Sequence, residues 1–263
     1  MLGAIIGDII GSIYEFRNIK TKNFELFGKH CIFTDDTVMT LAVAKAILNC
    51  DGDYSKLEDE TVDCMRKLGG KYPDAGYGGY FYRWLKSNNP QPYNSYGNGS
   101  AMRVSPCGYA AKSLEEALTL AEITAKVTHN HPEGIKGAQA VASAIFLARN
   151  GKSISEIAEY INNNFYRIDF TISGIRKTYK FDVSCQGSVP QALQAFFEST
   201  DFEDAIRNAI SIGGDSDTIA AITGSIAQAY YGIPDNIRNK ALTYLDNPLF
   251  EILSNFEKIF PIK

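Results

Sequence analysis

Gly213-Gly214-Asp215-Ser216-Asp217-Thr218-Ile219-Ala220-Ala221 sets two carboxylates and a hydroxyl on the threshold of an apolar run that reads as a helix to Tyr230, ended by Gly232 and Pro234. A second threshold of the same kind, Thr34-Asp35-Asp36-Thr37, precedes the apolar stretch Val38 to Leu48. A helix that is apolar nearly all round belongs in a core. Acid in a first turn stabilises a helix by about 0.3–1 kcal/mol through its dipole, and for one cluster alone that is an adequate account. Two clusters are harder to explain this way. No Lys or Arg stands beside Asp215 or Asp217, and burying such charges unpaired is costly. Oxygen ligands of this kind suit a hard divalent cation. If the two clusters face each other, they form a binuclear site of the type that polarises oxygens and activates water.

The same pattern of apolar helices continues outward. Leu2 to about Tyr14 carries Ile5, Ile6, Ile9, Ile10 and Ile13, with Gly3, Gly7 and Gly11 every fourth residue along one face. Ser55, Ser113 and Ser153 each precede a Glu by three residues, the capping-box pattern that starts a helix. Further helices are expected over Ile135 to Arg149, Pro190 to Glu198, Phe202 to Ile210, Asp235 to Leu245 and Pro248 to Ile259. Strand alternation is nearly absent; Tyr179 to Val183 is the single short candidate. The expectation is an all-α globule of about ten helices, folded as a single domain over residues 1–263. Tyr72 to Asn98, rich in Gly, Asn, Pro and Tyr, reads as a long loop.

Composition narrows the function. Of 263 residues, 45% are hydrophobic and the formal net charge is -4, with 26 scattered Lys and Arg. No basic stripe marks a nucleic-acid groove, so a nucleic-acid partner is not expected. Five widely spaced cysteines give neither a zinc motif nor a disulfide framework, which points to a reducing, cytoplasmic setting. The apolar N-terminus lacks a basic region and contains Asp8, so it reads as a buried helix; no run is long enough to span a membrane. Two readings stand for Asp8: a carboxylate bonded to backbone or an Arg, or a group supporting the site. Tyr96-Gly97-Asn98-Gly99-Ser100 is either a plain turn or a phosphate cradle ahead of a helix from Ala101. His129, in Thr128-His129-Asn130-His131, either structures its loop or contacts a ribose or phosphate.

Taken in order, these motifs resemble the ADP-ribosylglycohydrolase family. The matching stretches are Gly3 to Asp8 with Tyr14-Glu15-Phe16, Phe33 to Thr37, Tyr96 to Arg103, Thr128-His129, Ser188 to Leu193 and Gly213 to Ala221. They cover essentially the whole chain. The resemblance implies an all-α, single-domain orthogonal helical bundle around two Mg²⁺ or Mn²⁺ ions, with Thr34, Asp35, Asp36, Asp215, Asp217 and Thr218 as ligands. It implies that Glu15 approaches the scissile ribose. Asn98, Gly99, Ser100 and Met102 would touch the diphosphate and proximal ribose. Tyr96 would face adenine, with Tyr93 the candidate for a second aromatic, and His129 would contact ribose or phosphate. Gly213 and Gly214 join the substrate-binding set. The implied activity is hydrolysis of the bond between ADP-ribose and a modified acceptor, protein or other, with nucleic acid expected only as such an acceptor. The alternatives are a hydrolase of a free ADP-ribose derivative and a non-catalytic ADP-ribose binder. Breaking a glycosidic bond to ribose requires a base for the attacking water. Asp36 is the first candidate for that base and Glu15 the second.

Overall fold

The computed structural model describes residues 1–261. At its centre lies α13 (Ser216–Tyr231), buried from Ser216 to Gln228. Helix α1 (Leu2–Gly11) is buried at every position and packs directly against α13. The glycine face makes this possible. A Cβ at Gly3 would stand 2.1 Å from the Gly224 carbonyl oxygen, one at Gly7 2.0 Å from the Ala220 oxygen, and one at Gly11 2.4 Å from the Asp217 Cα. The pairs 3–224, 7–220 and 11–217 run in opposite senses, so the helices are antiparallel. That places the last turn of α1 against the first turn of α13. The Gln228 amide oxygen fixes the far end by accepting from Gly3 N at 2.7 Å.

Gly7→Ala tests this contact. Alanine favours a helix interior over glycine by about 1 kcal/mol. Here its methyl would collide with backbone, which has no rotamer to escape into, and overpacking costs about 1–3 kcal/mol or more. A net loss of stability is expected in urea unfolding. A variant as stable as the parent would mean that the two helices are not packed in this register.

The other helices surround this pair. α2 (Asp35–Cys50) carries the first acidic cluster in its first turn, and α3 (Leu57–Lys71) and α15 (Asn247–Ile259) pack on it. α11 (Cys185–Phe197) and α12 (Phe202–Ser211) cover α13. α7 (Leu114–Lys126) and α8 (Pro132–Arg149) form the remaining wall. Fifteen α-helices occur among the described residues, more than the ten expected, because several are short. Between α3 and α15 these include α4 (Gly79–Lys86), α5 (Gly99–Met102), α6 (Ser105–Ala110) and α10 (Ile172–Ile175). The other two are α9 (Ile154–Asn164) and α14 (Asp235–Leu242).

Several local expectations need correction. α1 stops at Gly11, and residues 12–17 form turns. α14 likewise stops at Leu242, short of Leu245. Ser153 forms the full capping box with Glu156, but Ser113 forms only half of one, because the Glu116 carboxylate reaches Lys112 N instead. Ser55 is no cap. Asp53 accepts from Ser55 N and starts a 3-10 turn that leads into α3. Pro190 does not begin its helix; Ser184 caps α11 six residues earlier, and Pro190 lies inside it. Tyr179 to Val183 is not a strand. Among the described residues the one β-type pairing is an isolated bridge between Gly97 and Ser184. Asp182 turns the chain there by accepting from Ser184 N and Oγ.

Candidate active site

The antiparallel α1–α13 contact and the start of α2 bring both acidic clusters to the floor of one cleft of about 790 Å³. Asp8, near the end of α1, organises this floor. Its carboxylate accepts from Thr34 N at 2.9 Å, Thr34 Oγ1 at 2.6 Å, Thr37 N at 3.0 Å and the Thr37 hydroxyl. It therefore caps α2 from a different helix. It also takes the Thr34 proton, so any cation beside Thr34 meets a lone pair. Asp8 is thus bonded to backbone, as the first of its two readings has it, and the same bonds place its carboxylate beside the acidic floor.

Asp36 and Thr218 link the two helix starts. Thr218 Oγ1 donates to Asp36 Oδ2 at 3.1 Å. Asp36 Oδ1 is buried and has no hydrogen-bond partner. Asp217 Oδ1 accepts from Thr218 N at 2.9 Å, and Asp215 Oδ2 accepts from Asn98 Nδ2 at 2.7 Å. Oxygens of Asp8, Asp36 and Asp217 lie within 4.8 Å of one another, and so do those of Glu15, Asp215 and Asp217. The two groups of three share Asp217. Asp35 lines the same cleft but belongs to neither group.

These donors fit hard divalent cations. All are oxygen, most are carboxylate, and a buried carboxylate oxygen is left without a partner. Without a cation the charges are poorly tolerated. Burial first, then Asp215 and Asp8, pushes the Glu15 pKa up to about 7. Burial first, then Asp8 and Asp215, pushes Asp35 to about 8. Asp36 and Asp217 are raised well above the usual range, again chiefly by burial and then by neighbouring carboxylates.

A carboxylate whose folded pKa lies above its unfolded value near 4 costs stability as pH rises between the two. Metal-free protein should therefore lose melting temperature between pH 5 and pH 8. Mg²⁺ or Mn²⁺ should restore it, more at pH 8 than at pH 5. Thermal scans in chelator and in each metal would read this. An equal increment at both pH values would exclude these carboxylates as the ligands.

The rest of the cleft comes from the middle of the chain. Its walls include Tyr93, Tyr96, Asn98, Gly99, Met102, Arg103 and His129. Tyr96 is 52% exposed and lies 5.3 Å from the His131 ring, whereas Tyr93 is half-buried and stacks on Tyr80. Three of the expected substrate residues are not in the lining. Ser100 is buried, and its hydroxyl donates to Gly134 O at 2.7 Å. Gly213 and Gly214 have φ of 65° and 77° and form a turn behind the floor. A Cβ on Gly214 would meet Tyr179 at 2.3 Å.

Sequence reasoning missed Asn18, which ties this turn to Glu15. Its amide nitrogen donates to the carbonyls of Glu15 at 2.8 Å and Gly214 at 2.9 Å, and its oxygen accepts from Gly214 N at 2.7 Å. It also missed the wall Phe181 to Ser184, of which Phe181 to Val183 lie in the short strand candidate. Only the fold shows either contact.

The ADP-ribosylglycohydrolase family model matches residues 1–257. The chain belongs to the ADP-ribosylglycohydrolase family. Among its relatives, the ADP-ribosylhydrolase ARH3 of Homo sapiens is 27% identical over 89% of this chain and 84% of its own length. The ADP-ribosylarginine hydrolase Tri1 of Pseudomonas putida (strain GB-1) is 28% identical over 89% of this chain and 70% of its own. A solved structure described as an ADP-ribosylglycohydrolase-related protein complex superposes with a TM-score of 0.75 at 23% identity, covering 99% of this chain and 95% of that one. The superposition supports the same all-α fold. As a member of the ADP-ribosylglycohydrolase family, the chain is a hydrolase of the glycosidic bond joining ADP-ribose to an acceptor. Among the described residues no helix is long and apolar enough to cross a membrane.

Proposed function

We propose that this chain works as one domain over residues 1–263 and removes ADP-ribose from a modified acceptor with two Mg²⁺ or Mn²⁺ ions. The observation that carries the proposal is the pair of carboxylate groups sharing Asp217, beside the unpartnered Asp36 Oδ1. Thr34, Asp35, Asp36, Asp215, Asp217 and Thr218 are the proposed ligands. When bound, the ions would fix and polarise the ribose hydroxyls and the attacking water.

The chain's own residues would do the rest. Glu15 is partly exposed to the cleft, whereas Asp36 is 3% exposed and engaged with Thr218. That geometry favours Glu15 over Asp36 for moving the proton of the attacking water. Asn18 holds the Glu15 turn in place. Asn98, Gly99 and Met102 would receive the diphosphate and proximal ribose, with Ser100 fixing the loop from behind. Five free, buried cysteines fit a reducing cytoplasm.

Release of ADP-ribose from arginine-linked, serine-linked and small-molecule conjugates, with and without chelator, tests this reading. Metal analysis of the same sample should give two ions per chain. Turnover indifferent to chelator would overturn it. Binding of ADP-ribose with no release from any conjugate would make the chain a binder.

Tyr96 is the proposed adenine partner. Aromatic stacking on a base is worth about 1–3 kcal/mol. Tyr96→Ala should weaken ADP-ribose by about that much in calorimetry and leave metal affinity unchanged. Because Tyr96 is half in solvent, its loss should barely alter the melting temperature. Unchanged ADP-ribose affinity would move adenine recognition to Tyr93.

A further inference from the structure

Arg103 is 1% exposed and makes no ion pair with any described residue, although it lines the cleft. Such a buried cation needs a reason. Its Nη2 donates to Thr128 Oγ1 at 2.7 Å and to Thr124 O at 3.3 Å, and its guanidinium lies over the Phe81 ring at 5.8 Å. Thr128 Oγ1 stands 2.7 Å from His129 Nδ1. The two contacts at Thr128 settle the direction of the second bond. Arginine can only donate, so Thr128 Oγ1 accepts from it. Thr128 is fully buried, and its own proton has one acceptor in reach, His129 Nδ1. The reverse arrangement would leave that hydroxyl proton buried and unbonded, which is the costly outcome. Nδ1 is then the acceptor, and the proton of the neutral ring lies on Nε2.

The Nε2 edge faces the glycine loop. A Cβ at Gly99 would sit 3.2 Å from Nε2, and one at Gly97 3.6 Å from it. No protein acceptor bonds Nε2 among the described residues, and it is not among the buried unpartnered atoms. It therefore opens on the cleft. Burial, and secondarily the Arg103 charge, holds the ring's pKa well below its ordinary value, so the ring stays neutral.

We propose that Arg103, acting through Thr128, is a positioning residue that locks His129 as an Nε2–H donor aimed across Gly97 and Gly99 at an oxygen of the bound nucleotide. The glycines leave room for that oxygen. The proposal rests on the assignment of this cleft to an ADP-ribose ligand, but the tautomer does not depend on it.

Two-bond ¹⁵N–¹H correlation spectra of histidine-labelled protein, recorded without ligand, report the tautomer directly. The expected spectrum for His129 is the Nε2–H form with an acceptor Nδ1. An Nδ1–H form would overturn the proposal even if hydrolysis is observed. The Nε2–H form in a protein that releases no ADP-ribose would instead sink the hydrolase reading. Thr128→Val removes the hydroxyl but keeps the shape. It should produce a mixed tautomer and raise the ADP-ribose Kd by about three- to tenfold, the worth of one hydrogen bond. Thr128→Ser should restore both. A Val variant with the wild-type tautomer and affinity would refute the relay. Titrating with ADP and with adenosine names the ligand atom. A shift at Nε2 with ADP alone assigns it to phosphate; one with both assigns it to the adenosine ribose. A shift with ADP-ribose but with neither of these assigns it to the distal ribose. No shift with any of the three overturns the proposal.

Discussion

Asp217→Asn should abolish turnover, lose bound metal and yet make the metal-free protein more stable at pH 8. The three effects share one cause. Asp217 belongs to both carboxylate groups, so it is the residue whose charge matters twice. Losing the charge stabilisation that metal supplies, several kcal/mol, corresponds to a fall in kcat on the order of a thousandfold. Without metal the same charge is a burden, because burial and then Asp215 and Asp36 raise its pKa. Asparagine removes the repulsion and keeps an oxygen for Thr218 N. Metal analysis, steady-state kinetics and thermal scans in chelator at pH 8 measure the three. A variant that keeps two ions and wild-type kcat would refute the binuclear reading. Lower stability in chelator would refute the electrostatic account of the cleft floor.

Glu15→Gln carries the second largest expectation. The change removes a charge and a proton acceptor but almost no volume. General acid–base catalysis is worth about a hundred- to ten-thousandfold, and kcat should fall by that much. The ADP-ribose Kd should stay within about twofold, since only groups acting in the transition state separate the two constants. Metal content is the control, because Glu15 stands within 4.8 Å of Asp215 and Asp217. A matched loss of affinity and kcat with metal retained would recast Glu15 as a residue that merely shapes the turn.

The parts of this molecule legible in its sequence are those whose physics is local. Apolar periodicity located α1, α2, α8 and α13, and Ser153 with Glu156 announced α9. The two acidic thresholds were legible because charge without a nearby countercharge is a local anomaly. α4 was hidden inside a segment rich in Gly and Tyr, although Phe81, Trp84 and Leu85 have helical spacing and are buried. Where the answer lies in a distant partner, the sequence is silent. Asp8 could not be assigned until Thr34 and Thr37 were found around its carboxylate. Asn18 carries no motif, and its importance comes from Gly214, 196 residues away. Ser100 and the Gly213-Gly214 turn lie inside stretches that match the family, yet neither lines the cleft. A motif identifies residues that matter together without saying which of them face the ligand.

The antiparallel pairing of α1 with α13 also governs when this protein can exist. Gly3 and Gln228 bond across 225 positions of sequence. A nascent chain leaving the ribosome therefore presents the isoleucine-rich first helix long before the surface that will cover it has been made. Ile5, Ile6, Ile9 and Ile10, all wholly buried in the finished molecule, lack their native cover until α13 has been made. The acidic floor is likewise incomplete until Asp215 and Asp217 arrive, so neither group of three carboxylates can form before them. A divalent ion that needs both clusters could thus bind only after the second of them has been made.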